Sequence, residues 1–177
     1  MTASQDFGAA ILPLFVQPTP LVAVAVSSTA WIVVSAIVGW RASSWTAERL
    51  DRPGPVTRLR HWEQDGRFWR RVRVEHWKDR VPEAGALFPG GRSKRQLTGR
   101  SDADLRAFQR ETVRAERVHW LILASSPIHA LWCDPTLFAS MVVFGLAFDL
   151  PFIVIQRFNR GRIHRILSRR AERATRM

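Results

Sequence analysis

The chain has 177 residues, of which 27 are Lys or Arg and 15 are Asp or Glu, for a net charge of +12. Residues 1–40 contain no Lys or Arg, 41–117 contain 19, 118–156 contain none and 157–177 contain 8. This partition argues against a soluble nucleic-acid-binding protein. The length leaves room for one domain, and the single Cys133 excludes a disulfide framework or a cysteine-based metal site.

The first apolar block covers residues 21–40, which are uncharged and are followed at once by Arg41. As a helix it would be about 30 Å long, the thickness of a bilayer core. The alternative is a cleaved signal peptide, but such a peptide begins with a positive segment, which is missing here. We therefore predict a retained first transmembrane helix.

Two further apolar blocks, 118–133 and 137–155, are separated only by Asp134, Pro135 and Thr136. This spacing predicts a tight transmembrane hairpin, with Trp120 and Trp132 near the ends of its first helix, where belt aromatics lie. The alternative is a buried core hairpin of a soluble protein. The third charge-free block upstream disfavours it, because few other apolar residues remain to cover three such helices.

Three spans place 41–117 and 157–177 on the same side of the membrane, and all 27 basic residues lie there. The positive-inside rule then predicts a cytoplasmic location for both segments and an outside N-terminus. The predicted fold is an all-α, multi-pass protein of the cell membrane. It has an outer terminus with the first helix (1–40), a basic cytoplasmic segment (41–117), a transmembrane hairpin (118–156) and a basic cytoplasmic tail (157–177).

The cytoplasmic segment has a net charge of +8 and the tail +7, which favours contact with anionic lipid headgroups. Within it, residues 63–77 (EQDGRFWRRVRVEHW) alternate Phe68, Trp69 and Trp77 with arginines, and their periodicity fits a helix or a strand. Such interleaving can bind single-stranded nucleic acid. Next to membrane spans it more often lies in the headgroup layer, so we expect a membrane-lipid partner and no nucleic acid.

Two features complete this segment. The Gly-Gly loop at 88–95 (FPGGRSKR) could hold a phosphate or carboxylate of an acyl donor, although it lacks the P-loop spacing. Residues 102–116 predict an amphipathic helix that continues into the second span, with Leu105, Phe108, Thr112 and Ala115 on one stripe.

The leading candidates for chemistry are Glu116 and His119, which are three residues apart and share a helix face where it enters the bilayer. A carboxylate that orients an imidazole is what a general base needs to accept a proton from a hydroxyl. The alternative is an ion pair of Glu116 with Arg114 or Arg117 that only anchors the helix end. The residues leave these two interpretations open.

Other ionisable residues lie in or beside the hairpin. His129 and Asp134 match an H-x4-D spacing but are predicted to be structural, because the topology puts them near the outer face. Asp149, two residues before Pro151, is expected to cap freed backbone or to pair with an Arg or His of a neighbouring helix. A role as acceptor of a substrate hydroxyl is the alternative. Pro127 is expected to kink the second span.

A basic cluster follows the third span. In the sequence QRFNRGR it contains Gln156, Arg157, Asn159, Arg160 and Arg162. Alone it is typical of a positive-inside stop, but arginines there could also bind a phosphate or carboxylate in a bidentate manner.

Three stretches, EQDGRFWRRVRVEHWKD (63–79), RAERVHW (114–120) and LPFIVIQRFNRGR (150–162), resemble the glycosyl-4,4'-diaponeurosporenoate acyltransferase family. The resemblance runs from about residue 63 to the C-terminus. It implies a small membrane enzyme that transfers a fatty acyl group to the sugar hydroxyl of a glycosylated carotenoid or other glycolipid. The implied partners are an apolar glycosylated acceptor, an acyl donor such as acyl-CoA or a similar thioester, and a biosynthetic membrane complex, with no metal or cofactor.

Within that framework, His119 and Glu116 are the predicted catalytic residues. The predicted substrate-binding residues are Arg157, Asn159, Arg160, Arg162, Gln156, Trp69, Trp77 and Trp120. The alternative from another class is a non-catalytic membrane scaffold that recruits biosynthetic enzymes through its basic cytoplasmic face.

Overall fold

The computed structural model describes residues 18–81 and 101–176, and within those ranges the chain contains helices and turns but no strand. The prediction of an all-α protein is confirmed for this part of the chain. The α-helices are α1 (Pro20–Ser43), α2 (Ala47–Asp51), α3 (Arg67–Arg70), α4 (Val74–Trp77), α5 (Asp102–Ala124) and α6 (Pro135–Thr175). Short 3-10 helices cover His61–Glu63, Lys78–Arg80 and Ser126–Leu131.

The first helix, α1, begins with Pro20 at a position where a missing N–H does no harm, and it continues past Arg41. Its buried residues are all small, namely Ala23, Ser27, Gly39 and Ala42. Most of its large apolar side chains point away from the protein, and Ile32 is 70% exposed, whereas Trp31 packs against His129. Small residues let helix backbones approach closely, so α1 packs through its narrow face and leaves its wide face uncovered.

The α5 helix begins at a capping box in which Ser101 and Asp104 satisfy each other's backbone N–H groups. Leu105, Phe108 and Thr112 are buried on one side, which confirms the amphipathic stripe. The helix then runs without a break into the apolar block, as expected.

The second apolar block departs from the prediction of one transmembrane helix over 118–133. The α5 helix ends at Ala124, and a 3-10 helix over Ser126–Leu131 replaces its continuation. Pro127 lacks an N–H and disfavours the α conformation in the residue before it. The Ser125 and Ser126 hydroxyls instead donate to the Ile122 and Leu123 carbonyls, at 2.6 and 2.7 Å.

The α6 helix contains the third predicted span, 137–155, but has 41 residues and is about 61 Å long. Asp134 caps it by accepting hydrogen bonds from the backbone N–H groups of Thr136 and Leu137, at 2.9 and 3.1 Å. The helix is antiparallel to α5 and continues through Pro151. Beyond the apolar block, Ile163 and Leu167 of α6 pack against Leu105 and Phe108 of α5.

Between α1 and α5, residues 44–81 fold as short helices joined by turns. The alternating stretch RVRVEHW (71–77) is not a strand: it is a turn followed by α4, whose Val74 is fully buried against Ile155 and Phe158 of α6. This packing holds the segment to the middle of α6. The predicted Gly-Gly loop at 88–95 lies outside the described residues.

By length and composition, α1 and α6 are the two helices in the described ranges that are apolar enough to cross a membrane. Both carry exposed large apolar residues. Examples are Leu21, Ile32 and Trp40 on α1 and Val143, Phe144 and Phe148 on α6.

Candidate functional site

The most extensive polar contact joins four side chains from three separate parts of the chain, which we call the arginine–glutamate cluster: Glu63, Glu116, Arg157 and Arg160. Glu63 and Glu116 are fully buried, and Arg160 is 3% exposed. Charges so placed must be paired, and here two acids meet two bases, so the cluster is neutral. It lies where α5, α6 and the turn after His61 converge.

Arg157 is the centre of this cluster, and each of its five N–H groups has an acceptor. Nε and Nη2 donate to the two oxygens of Glu63, both at 2.6 Å, and Nη1 donates to Glu116 Oε1 at 2.6 Å. The remaining two bonds go to the carbonyls of Val56 and Arg58, at 3.0 and 3.2 Å. A guanidinium has five N–H groups in all. Every N–H of Arg157 is therefore bonded within the protein, and its role in substrate binding stays a prediction that these contacts do not support.

Arg160 differs because only part of its bonding capacity is used. Its Nη2 donates to Glu116 Oε2 and, at 2.7 Å, to the Thr57 carbonyl. Its Nε and Nη1 are buried and have no partner among the described residues. Buried N–H groups are normally bonded, so Nε and Nη1 are the donors of this cluster whose hydrogen-bonding capacity is unused among the described residues.

Two glycines allow the turn to lie against α6. Gly66 takes a φ of 72°, the left-handed region that glycine adopts without strain. A Cβ on Gly161 would come within 2.3 Å of the Glu63 carbonyl oxygen and 2.9 Å of the Gly66 backbone nitrogen. Only glycine fits there. The backbone N–H of Arg60 also donates to Glu63 Oε2, at 2.8 Å, which fixes that carboxylate for Arg157.

Burial and the neighbouring charges shift the pKa values of three members of the cluster. Burial alone would raise the pKa of Glu63, but hydrogen bonds from Arg157 and the Arg60 backbone outweigh it and lower that pKa below its ordinary value of 4.5. Burial would likewise lower the pKa of Arg157, yet Glu63 and Glu116 raise it above the ordinary value. For Arg160 burial prevails, and its pKa is lowered.

A second polar contact, which we call the His119–Asp149 pair, lies about one helical turn beyond Glu116, toward the C-terminal end of α5. Nδ1 of His119 is 2.6 Å from Oδ1 of Asp149, and Asp149 is almost fully buried. The imidazole stacks on Phe152, with ring centroids 4.5 Å apart and planes at 13°. The second oxygen of Asp149 has no partner within the described residues. In the tautomer in which Nδ1 donates to Asp149, Nε2 of His119 is the ring atom that can accept a proton.

This contact corrects the predicted pairing of His119 with Glu116. Glu116 accepts from Arg157, from Arg160 and, at 3.3 Å, from Nε1 of Trp120. It forms no ion pair with Arg114 or Arg117, because Arg114 bonds Glu111 while Arg117 donates to the carbonyls of Arg49 and Arg52. Of the alternatives for Asp149, partnership with a histidine of a neighbouring helix is the one that the structure shows.

The remaining predicted binding residues are dispersed. Trp69 and Trp77 pack against the core around Val74, Ile155 and Phe158, so they attach the segment before α5 to α6. Trp120 lies beside Glu116. Gln156 is buried with its Nε2 unbonded among the described residues, and Asn159 is half-buried. Arg162 is exposed and places its guanidinium over the Phe158 ring, 5.4 Å from the centroid.

His129 and Asp134 occupy the far end of the hairpin. His129 is buried between the Trp31 and Trp132 rings, at centroid distances of 5.5 and 5.7 Å, and Asp134 is the cap of α6. These contacts agree with the structural role expected for both. No group of His, Cys, Asp or Glu that could hold a metal ion occurs in the described ranges.

The sequence did not indicate Glu63 as a member of the cluster, and it predicted an Arg or His partner for Asp149 without identifying His119. Glu63 lies in the EQDGRFW stretch that carries the family resemblance, which was an available signal. Asp149 is separated from His119 by 30 residues, so helix spacing could not relate them.

The three stretches that carry the family resemblance, 63–79, 114–120 and 150–162, meet in this site. They are brought together by α5, α6 and the turn between residues 60 and 66, and they define the class of protein. A family model for glycosyl-4,4'-diaponeurosporenoate acyltransferase matches residues 53–169. The chain belongs to that acyltransferase family, which confirms the resemblance.

Named relatives agree with this assignment. The chain is 32% identical over 113 residues to a glycosyl-4,4'-diaponeurosporenoate acyltransferase of Staphylococcus haemolyticus, a match that covers 63% of this chain and 66% of the relative. It is 30% identical over 118 residues to the protein of that name in Staphylococcus aureus strain USA300, covering 64% and 70%. The matched stretch thus spans about two thirds of these relatives. No solved structure matches the chain.

Proposed function

We propose that this protein is a membrane acyltransferase that moves a fatty acyl group from a thioester donor, such as acyl-CoA, to the sugar hydroxyl of a glycosylated carotenoid or another glycolipid. The observation that carries the mechanism is the 2.6 Å contact between His119 and the buried Asp149. Membership of the family supplies the reaction class.

The proposed reaction begins at His119. Nε2 accepts the proton of the acceptor hydroxyl while Asp149, bonded at Nδ1, stabilises the imidazolium that forms. The hydroxyl oxygen attacks the acyl carbonyl, the C–S bond of the thioester breaks, and the departing sulfur takes the proton from His119. The products are an ester on the sugar and a free thiol, so atoms and charge balance.

Arg160 is the residue we assign to the donor. Glu116 lies one helical turn from His119 and holds the Arg160 guanidinium, whose Nε and Nη1 keep unbonded hydrogens. Such donors can bind the negative oxygen that develops at the attacked carbonyl or an anionic group of the donor. Arg162 is exposed and lies one helical turn after Phe158. We assign to it contact with the soluble part of an acyl-CoA.

The membrane arrangement is also a proposal. Arg117 donates to the carbonyls of Arg49 and Arg52, while Nε1 of Trp132 donates to Oγ of Ser27 at 2.9 Å. The α5–α6 hairpin therefore runs beside α1 from its C-terminal end to within about 10 Å of its N-terminal end. The side-by-side arrangement of α1 and the hairpin, with apolar faces of α1 and α6 exposed, supports three crossings of the membrane. The second crossing would be made by the end of α5 and the 3-10 helix.

The basic residues then orient the protein. Segments 41–117 and 157–177 follow the first and third crossings, so we place both in the cytoplasm and the N-terminus outside. The arginine–glutamate cluster lies at the cytoplasmic boundary. The His119–Asp149 pair lies about 12 Å further along α6 from Arg157, just inside the apolar layer.

The experiment that tests the activity is expression of the full chain in a host that accumulates glycosylated carotenoids but lacks their acylation. Mass spectrometry of the pigment is expected to show an increment of one acyl group on the sugar. Purified chain, supplied with a glycolipid acceptor and acyl-CoA, is expected to give the same product. Product in cells but none with the purified chain would favour the scaffold alternative, and no product in either would refute the proposal.

A further inference from the structure

The basic residues that follow the third apolar block differ in what they contact. Arg157 and Arg160 belong to the arginine–glutamate cluster, and Arg170 bonds Asp102 of α5 at 2.6 Å. The other five lie further along α6, and we call them the arginine stripe: Arg162, Arg165, Arg169, Arg173 and Arg176. None of these five forms an ion pair within the described ranges.

The arginine stripe occupies one face of α6. At 3.6 residues per turn its five side chains leave the helix within an arc of about 80°, over a length of about 21 Å. Ile163 and Leu167 pack against α5 on the far side of the helix, so the stripe faces away from α5. Four of its members are exposed, and Arg165 is half-buried. Glu172 borders the stripe, so five bases stand beside one acid, a net charge of +4.

Most of the stripe is too far from the bilayer to bind its headgroups. Arg157 lies at the proposed boundary of the apolar layer, and Arg169 and Arg173 lie about 18 and 24 Å beyond it along α6. The headgroup layer adds only about 5–7 Å on each side, and charges in solution are screened within about 8 Å. The contact of Arg170 with Asp102 keeps this end of α6 beside α5 and away from the lipid.

We propose that the arginine stripe docks an acidic protein that carries the acyl group as a thioester on a flexible arm. The inference rests on the proposed function, because it identifies the molecule that brings the thioester to His119. A row of bases about 21 Å long matches an acidic helix of about 14 residues. Complementary charge steers and orients such a partner. The nucleotide of a free acyl-CoA is too short to contact all five arginines.

The position of the stripe sets the reach that the arm needs. Its first member, Arg162, lies about 20 Å from Asp149 along α6. A carrier protein docked on the stripe stays in solution and extends its arm along α6 to the His119–Asp149 pair. The chemistry is that of the proposed reaction: the C–S bond breaks, the acyl carbon bonds to the sugar oxygen, and the sulfur of the arm takes the proton. The carrier protein then leaves with a free thiol.

The first test measures binding, with the full chain in nanodiscs of neutral phosphatidylcholine and a bacterial acyl carrier protein in its thiol form as the probe. Wild type is expected to bind the probe with a Kd that rises with salt, because the charges that meet are exposed. The double variant Arg169→Ala, Arg173→Ala is expected to weaken Kd by about 3–30-fold, the effect of two exposed ion pairs. The control is Arg106→Glu, exposed on α5, which changes the net charge by the same amount.

Turnover onto a glycolipid acceptor is then measured with the same acyl group on the carrier protein and on CoA. The double variant is expected to raise KM for the acyl carrier protein only. No binding by wild type, or an equal loss in Arg106→Glu, would overturn the proposal even if acyl-CoA is a good donor. A loss seen only in nanodiscs with anionic lipid would also overturn it, because lipid would then occupy the stripe. Salt-sensitive binding of the carrier protein by a wild type that transfers from neither donor would support the docking surface and refute the proposed function.

Discussion

Two polar clusters share the α5–α6 interface and differ in the bonding capacity that they keep. In the arginine–glutamate cluster the charges cancel, and Arg157 donates all five of its N–H groups to Glu63, Glu116 and two backbone carbonyls. The His119–Asp149 pair has one bonded ring nitrogen, one free ring nitrogen and one unbonded carboxylate oxygen. In the arginine–glutamate cluster only Arg160 keeps N–H groups that are unbonded among the described residues, and the contacts of Arg157 hold the fold together. In the His119–Asp149 pair both members keep an unbonded atom, which suits that pair to proton transfer.

The largest effect on folding is expected for Arg157→Ala. The substitution leaves Glu63 and part of Glu116 buried without a counterion, which lowers the free energy of unfolding by about 3–5 kcal/mol. Denaturant unfolding in detergent micelles measures it. The control is Asp102→Asn, which breaks an exposed contact with Arg170 and is expected to have an effect of about 1 kcal/mol or less. Equal effects of the two substitutions would show that the cluster is not the structural one.

Asp149→Asn is expected to reduce kcat by about 10²-fold with little change in KM, because the neutral amide neither fixes the Nδ1 hydrogen nor stabilises the imidazolium. Steady-state acyl transfer by the purified variant measures it. Asp134→Asn is the matched control, since asparagine also caps helices and α6 should begin as before. A kcat like that of wild type would remove Asp149 from the mechanism.

Gly161→Ala is expected to lower the free energy of unfolding by about 1–3 kcal/mol, because the new Cβ displaces the Glu63–Gly66 turn from α6. Gly54→Ala is its control, since no atom lies within 4 Å of a Cβ there. Thermal unfolding of both variants makes the comparison. If Gly161→Ala matched the control, the close approach of turn and helix would be refuted.

The smallest effect concerns pH. The lowered pKa of Glu63 means that its contribution to stability is present above the ordinary value of 4.5 and is lost as the pH falls through the folded-state pKa. Wild type is therefore expected to be more stable than Glu63→Gln at pH 7, and the difference is expected to shrink below about pH 4.5. Unfolding curves at both pH values measure it. A difference that grows on acidification would contradict the assignment.

The sequence predicted what depends on local pattern. Apolar length identified α1 and most of α6, and the 102–116 periodicity identified the start of α5. Asp134 and Pro135 marked the turn of the hairpin. The second block was wrong as one α-helix: where a kink was expected at Pro127, α5 ends at Ala124 and a 3-10 helix follows.

The site was predicted only in part, for a physical reason. Spacing along one helix relates Glu116 to His119, but it cannot show which of them a side chain from α6 will reach. Arg157 and Arg160 of α6 bond Glu116, so Glu116 is not the partner of His119. Asp149, also on α6, is the carboxylate that contacts His119 instead. Pairings between helices depend on their register, which a single sequence does not display.

The proposed base is His119, and the proposed role of the contact between Glu116 and Arg157 is structural. The most direct test is the kcat of purified His119→Gln, measured per folded molecule beside Arg157→Ala. We expect His119→Gln to unfold like wild type and to lose about 10²–10⁴-fold in kcat, while the Arg157→Ala loss follows its folded fraction. A folded His119→Gln protein with a kcat within a few-fold of wild type would contradict the account.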